Sequence, residues 1–266
     1  MSVLLAVDGD SFAHRAYHGL PKSIRLNAIV GLTNMLTGLW QAERPDAVVV
    51  GWDTLETPTY RHTAYEAYQS GRVFEDSLLE QLALMPALTQ ALGFTVGKAP
   101  GYEADDFLAA AAQAWPGEVL VATSDRDAYQ LVSDRVTILA PARGVSEINR
   151  IGPAEVRERY GVEPVQVPDL IALRGDPSDK LPGARGIGPK KAAELLAQYG
   201  TLEDVLAAGR FAAEAEDLRL FRRIAQMDAS APLPPLKPQT PNWVEASSFV
   251  SELGLRQSAE RLASFA

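Results

Sequence analysis

The sequence predicts an α/β fold built on a mostly parallel sheet held between two helical layers. Three observations predict it. Val3–Val7, Ala47–Trp52 and Val119–Thr123 are short unbroken apolar runs, with the length and content of strands buried on both faces. The segments between them carry apolar residues at helical spacing, so strands alternate with helices across 1–150, as parallel sheets require. Each run also ends on acids, at Asp8, at Asp53 and at the Asp125/Asp127 pair. Ligands of such sheets bind beyond the carboxyl ends of the strands.

Taken in order, the first strand stops at Asp8-Gly9-Asp10-Ser11, turn and N-cap chemistry that opens a helix. A second helix is expected over about Asn27–Gln41, from the spacing of Ile29, Leu32, Leu36, Leu39 and Trp40. After the second strand and Asp53 comes a polar stretch, Thr54–Asp76. In it Tyr60, Tyr65 and Tyr68 interleave with Arg61, His62, Gln69 and Arg72. An amphipathic helix is expected over about Ser77–Leu92, then a weak strand at Phe94–Gly97. Ser124-Asp125-Arg126-Asp127 opens a further helix after the third apolar run. Val136–Leu139 closes the series, with a small edge pairing near Glu147–Asn149.

From Gly152 the pattern changes to short helices at Pro153–Tyr160, Val165–Leu173, Pro189–Gln198, Thr201–Ala208 and Glu214–Met227. Pro153 and Pro189 stand in first turns, where a missing N–H costs nothing. Pro232, Pro234, Pro235, Pro238 and Pro241 mark a stiff extended linker, and a small helical tail is expected from about Glu245 to Ser264.

The chain has 266 residues, 47% hydrophobic and 22% charged, ordinary values for a folded protein. No apolar run approaches the roughly eighteen residues of a membrane span. The start of the chain lacks a basic leader, so no secretion signal is expected. With no cysteine, disulfides and thiolate metal sites are excluded. A net charge of −9 argues at first against a nucleic-acid partner. The acids collected below number nine, however, and without them the 34 acidic residues fall to 25, matching the 25 Lys and Arg. The charge is segregated, and a polyanionic substrate remains compatible.

Gly101-Tyr102-Glu103-Ala104-Asp105-Asp106 opens an alanine-rich helix with three carboxylates in four residues. Glu103 and Asp106 share a helix face. The helix dipole favours each anion by up to about 1 kcal/mol. Two carboxylates ~4 Å apart repel by about 4 kcal/mol at an effective dielectric near 20. Either the acids splay into water or cations sit between them. In the second half, Asp176 and Asp179 lie on a tight turn in Arg174-Gly175-Asp176-Pro177-Ser178-Asp179-Lys180-Leu181-Pro182-Gly183. Gly183-Ala184-Arg185-Gly186-Ile187-Gly188-Pro189-Lys190-Lys191 follows directly, a glycine hairpin running into a helix that opens with two lysines. Glycines let backbone approach a phosphate and a helix N-terminus offers it free N–H groups. A tight helix–helix turn is the competing reading. It is not a P-loop, because no Lys-Ser/Thr follows at the required spacing.

Five stretches together resemble the bacterial 5′ nucleases, the family of flap endonucleases and the 5′–3′ exonuclease domain of DNA polymerase I. They are Val7-Asp8-Gly9, Trp52-Asp53, Gly101–Asp106, Thr123–Asp127 and Gly175–Gly183 with its hairpin, in the family's order over roughly residues 3–230. The resemblance implies a PIN/5′ nuclease-like fold with a helical arch at about 54–92. It also implies a helical DNA-binding region over 151–230 with a helix-hairpin-helix at about 175–199, and a linker and tail over 231–266. It implies two or three Mg²⁺ or Mn²⁺ ions ringed by Asp8, Asp53, Glu103, Asp105, Asp106, Asp125, Asp127, Asp176 and Asp179. Asp8, Asp53, Glu103 and Asp106 would lie nearer one ion and the others nearer the second. Hard oxygen ligands without His or Cys suit such ions. Arg15 would contact the scissile phosphate as part of the catalytic set. Arg61, Tyr68 and Arg72 would line the arch, and Arg185, Gly186, Gly188, Lys190 and Lys191 would grip duplex phosphates, with K⁺ held at the hairpin.

The implied activity is metal-dependent cleavage of DNA at 5′ flaps, nicks and ends in replication and repair, including RNA primers on an RNA–DNA hybrid. The implied protein is a stand-alone, monomeric, cytoplasmic and nucleoid-associated enzyme with no membrane partner. Gln69 stands where the family usually carries lysine, and Lys180 where asparagine is usual. Two other classes stay open: a junction-binding module whose catalysis has decayed, and a metal-dependent ribonuclease. The three histidines, His14, His18 and His62, read as structural or surface residues.

Overall fold

The computed structural model describes residues 2–143 and 147–266. Its centre is a six-stranded sheet. In chain order the elements begin β1 (Val3–Asp8), α1 (Gly9–Gly19), α2 (Asn27–Glu43), β2 (Ala47–Gly51), α3 (Tyr60–Ala64), α4 (Asp76–Ala91), β3 (Thr95–Gly97), α5 (Ala104–Ala114) and β4 (Glu118–Ala122). A 3-10 turn at Asp127–Leu131 stands where a helix start was expected. Then come β5 (Val136–Arg143), β6 (Glu147–Ile151), α6 (Pro153–Tyr160), α7 (Val167–Arg174), α8 (Pro189–Tyr199), α9 (Leu202–Ala207), α10 (Ala215–Ala225), α11 (Trp243–Glu252) and α12 (Arg256–Ala263).

The strand order is β3-β2-β1-β4-β5-β6, parallel throughout except that β6 pairs antiparallel with β5. Connections run outward in both directions from the β1/β4 pair, so the crevice falls beyond the ends of these two strands. Alternation along the strands divides the core. Leu4, Ala6, Val49, Val119, Val121 and Ile138 face α5 and the helices α7 to α10. Leu5, Val7, Val48, Val50, Leu120, Ala122 and Leu139 face α1, α2, α4, α11 and α12. The unbroken apolar runs therefore report two covered faces, as expected.

The stretch expected as the helical arch, 54–92, packs on the body along much of its length. α3 has five residues, the chain then turns back against the acidic end of α5, and α4 buries Leu78, Leu82, Met85 and Leu88 in the second core. The proline-rich linker is extended but strapped down: Gln239 N–H donates to the Asp46 carbonyl at 2.7 Å and Asn242 N–H to the Leu92 carbonyl at 3.0 Å. The helical tail completes the second layer, with Trp243 edge-on to Trp40 at 5.1 Å between ring centres. Among the described residues no helix is long and apolar enough to cross a membrane.

Candidate metal centre and nucleic-acid interface

Acids reach one place from several elements. Asp8 ends β1 and caps α1: its Oδ1 accepts from Ser11 N–H at 2.9 Å, while Oδ2 accepts from the Thr123 hydroxyl at 2.7 Å. That second bond ties the ends of β1 and β4 together. Gly9 follows because a Cβ there would meet the Gly51 carbonyl and the Trp52 ring at 2.7 Å. Asp53, just past β2, accepts from Ala104 N–H at 2.8 Å and so joins the start of α5. Beyond β4, the Asp125 N–H is held by Thr123 Oγ1 at 3.0 Å, and Asp125 Oδ1 accepts from Asp127 N–H at 2.9 Å.

Asp176 and Asp179 arrive on a turn closed by reciprocal 2.8 Å bonds between the main chains of Asp176 and Leu181. Gly175 and Gly183 back onto each other there, both at positive φ, and a Cβ on Gly183 would lie 2.3 Å from Gly175 N. Asp179 Oδ1 accepts from Gln69 Nε2 at 3.0 Å.

These groups line one cavity of about 550 Å³: Asp8, Asp10, Asp53, Glu103, Asp105, Asp125, Asp127, Asp176 and Asp179, with Arg61, Arg72, His14 and His18 on its walls. Asp10 was missed in the sequence. It is buried, and its Oδ2 accepts from Asp53 N–H at 2.7 Å. The available signal was its spacing, two residues beyond Asp8 at the same strand end.

Burial raises the Asp8 carboxyl to about 7, against the opposing bonds from Ser11 and Thr123. Burial and then Glu103 raise Asp53 to about 6, and burial raises Asp179 to about 6. Asp10, Asp105 and Asp127 are pushed well above the carboxylate range, burial again leading. A basin of oxygen ligands whose charges disfavour one another fits hard divalent cations. Among the described residues, however, no three His, Asp or Glu side chains converge tightly enough to hold an ion as they stand. The expected nine-acid ring is thus a lined basin rather than a closed cage.

Asp106 leaves the expected ligand set. It is fully buried, and its oxygens accept from Arg61, Glu103 N–H, Asp228 N–H and the Tyr60 hydroxyl. With Glu103 it forms a reciprocal capping box on α5. Arg61, expected to line the arch and hold phosphate, is only 1% exposed. Its guanidinium reaches both oxygens of Asp105 and of Asp106, lies 3.0 Å from Glu103 Oε2, and gives Nε–H to the Ile224 carbonyl. The cation that the acidic helix start requires is therefore supplied within the fold. Burial opposes the Arg61 charge, but Asp105, Glu103 and Asp106 outweigh it and raise its pKa. Tyr68, expected as a stacking platform, is also buried, donating to Glu103 Oε2 at 2.9 Å.

The remaining cations lie where a polyanion could reach them. Arg72 is exposed at the cavity mouth. Arg15 is directed toward the end of β5, donating to the Ala142 carbonyl at 3.2 Å, and does not line the cavity. Arg185, Gly186, Gly188, Lys190 and Lys191 are all exposed on the hairpin and the first turn of α8. Gly186 has φ +76° and, like Gly188, open space where a Cβ would stand. Of the histidines, His14 and His18 line the acid cavity and His62 contacts the Thr59 hydroxyl. Lys180 adopts φ +60° and is exposed, its carbonyl accepting from Tyr65.

Comparison with known proteins matches two consecutive stretches of the chain. Residues 3–161 match the model of the 5′–3′ exonuclease N-terminal resolvase-like domain, and residues 162–245 that of the 5′–3′ exonuclease C-terminal SAM fold. DNA polymerase I of Mycobacterium tuberculosis is 42% identical over 214 residues, 76% of this chain. The chain spans 24% of that relative's length. Among solved structures, T5 5′-exonuclease with bound divalent zinc ions is 18% identical, with a TM-score of 0.70 and 98% of each chain covered. The catalytic core of Rad2 in complex with DNA substrate is 16% identical, with a TM-score of 0.60, covering 98% of this chain and 92% of that one. At these identities the structural matches establish the fold.

Proposed function

Because this chain belongs to the 5′–3′ exonuclease family, we propose that its acid basin hydrolyses DNA phosphodiesters near single-strand/duplex junctions, as a structure-selective 5′ nuclease. The observation that carries the reading is the delivery of acids from three strand ends, α5 and the 175–183 turn to one cavity, with Arg72 at its mouth. The exposed hairpin supplies Arg185, Lys190 and Lys191 for duplex phosphates, contacts that position without reading sequence. Rad2, a relative in fold, is described with a DNA substrate, and T5 5′-exonuclease with divalent metal ions.

Asp8, Asp10, Asp53, Glu103, Asp105, Asp125, Asp127, Asp176 and Asp179 are the residues that would hold Mg²⁺ or Mn²⁺. When bound, such ions supply the Lewis acidity that phosphodiester hydrolysis without a protein nucleophile requires. The protein's own contribution is positional. Thr123 and Ser11 hold the Asp8 carboxylate, Ala104 N–H holds that of Asp53, and Arg61 keeps the neighbouring helix start neutral enough to fold. By the family resemblance, a K⁺ ion would be held by main-chain carbonyls at the same hairpin. An RNA–DNA hybrid presents the same backbone charge as a duplex DNA substrate and fits the same surface. We assign a monomer acting on chromosomal DNA in replication and repair.

A labelled 5′-flap duplex incubated with Mg²⁺ or Mn²⁺ tests the reading. Release of the flap with a 3′-hydroxyl and a 5′-phosphate at the cut is expected. Tight binding with no cleavage in either metal would establish the junction-binding alternative instead, and preference for single-stranded RNA would establish the ribonuclease.

A further inference from the structure

We propose that Gln69 is a positioning residue whose amide holds Arg72 at the mouth of the acid basin, ready for a substrate phosphate. The inference rests on the nuclease reading above, since it assigns how that site presents its exposed cation.

The geometry is a relay. Gln69 Oε1 accepts from Arg72 Nη1 at 2.7 Å, and its Nε2 donates to Asp179 Oδ1 at 3.0 Å and to the Tyr68 hydroxyl oxygen at 2.8 Å. Tyr68 in turn donates to Glu103 Oε2 at 2.9 Å. The partners fix the amide's orientation, because the opposite one would set its carbonyl against a carboxylate and its NH₂ against a guanidinium. One side chain thereby joins the 175–183 turn, the start of α5 and the exposed arginine. The main chain is held as well: Arg72 N–H donates to the Gln69 carbonyl at 3.2 Å, and Gln69 N–H points to the Asp179 carbonyl at 3.5 Å. Gln69 sits at φ +48°, a conformation that disfavours a side chain with a Cβ. The interactions of its side chain give a reason for glutamine there.

Arg72 and Gln69 also stand on the wall shared by two cavities, the acid basin of about 550 Å³ and a neighbour of about 650 Å³ lined by Thr54, Thr59 and His62. A strand crossing from one to the other passes Arg72. The Arg72 charge is attracted to Asp53 and Asp125 in the basin, and the Gln69 amide offers it a partner at the mouth instead. An arginine already restrained loses less side-chain entropy on meeting phosphate.

The test compares wild type, Gln69→Met, Arg72→Ala and the double variant in flap cleavage with Mg²⁺ over a salt series. Methionine keeps the volume and removes both ends of the relay. Gln69→Met is expected to raise KM about fivefold while kcat stays within about twofold, the pattern of lost ground-state binding. Its salt slope should fall by about 1, as in Arg72→Ala. The double variant should be no worse than Arg72→Ala alone, because Gln69 acts through the arginine. Losses that multiply, an unchanged KM and salt slope, or a fall confined to kcat would each overturn the proposal. Gln69→Gly, which accepts the positive φ without strain, serves if the methionine variant does not fold. Should wild type fail to cut the flap, the nuclease reading falls. Salt slopes for binding of the same uncut duplex by the four proteins then decide the role of Gln69 separately.

Discussion

Arg61 Nη2 lies 2.8 Å from Asp106 Oδ1, with the two side chains 2% and 0% exposed. The same guanidinium also pairs with Glu103 and Asp105. Removing it strands three carboxylates around an apolar hole, and breaking one side of a buried ion pair costs about 3–5 kcal/mol. Arg61→Met is therefore expected to lower stability by that amount in urea unfolding with EDTA. Mn²⁺ should recover part of the loss, because a cation again faces Asp105. A cost below about 1 kcal/mol would show that the acids do not depend on Arg61.

Asp8 and Asp106 should separate chemistry from stability. Asp8→Asn keeps the shape and the Ser11 bond but loses a carboxylate in the basin; cleavage is expected to fall at least about 10²-fold with flap binding retained. Asp106→Ala should leave metal affinity within about twofold and destabilise the fold by about 2–4 kcal/mol, through lost caps and a buried Arg61 charge that keeps only Glu103 and Asp105 as ion-pair partners. Calorimetric titration with Mn²⁺ alongside urea melts reads both. Lost metal affinity in Asp106→Ala would return that residue to the ligand set.

The raised carboxyl pKa values set a pH dependence. For Asp8 the folded value is about 7 against an ordinary 3.8, so the folded state holds a proton that the unfolded chain has shed. Its contribution is full below the unfolded value and is lost as pH rises through about 7; Asp53 and Asp179 act in the same direction up to about 6. Metal-free protein in EDTA should therefore melt at a lower temperature at pH 8 than at pH 5.5, with Asp8 alone contributing a difference of about 2 kcal/mol. Mn²⁺ must displace these protons, so its stabilising effect should be larger at pH 8. Equal metal-induced shifts at the two pH values would contradict the picture.

Lys190 and Lys191 are exposed in the first turn of α8. Replacing both by alanine should weaken duplex binding and reduce the slope of log affinity against log salt by up to about 2, without moving the melting temperature. An unchanged salt slope, measured by fluorescence anisotropy, would remove the hairpin from the interface.

Trp243 closes the second core against Trp40 and Phe265. Trp243→Ala is expected to cost about 3–5 kcal/mol. A variant with near wild-type urea stability would mean that the tail is an appendage, as its proline-rich approach first suggests.

The sequence by itself determined the doubly covered parallel sheet, since runs such as Val3–Val7 have no polar face to show water. It also determined that Asp8, Asp53 and Asp125 meet, because parallel strands deliver their carboxyl ends to one edge. The exposed hairpin at Gly186–Lys191 was legible from its glycines and lysines. What only the tertiary structure decided is which charges face each other. Arg61 and Arg72 stand eleven residues apart in the same polar stretch, yet one is buried on Asp105 and Asp106 and the other lies open at the cavity mouth. Asp105 and Asp106 are neighbours in sequence, yet one lines the basin and the other caps α5 from within. Local pattern sets which residues share a face of an element. Whether a charge on that face meets water, a metal or a partner depends on contacts 40 or more residues distant, and burial energies of several kcal/mol per charge decide it there.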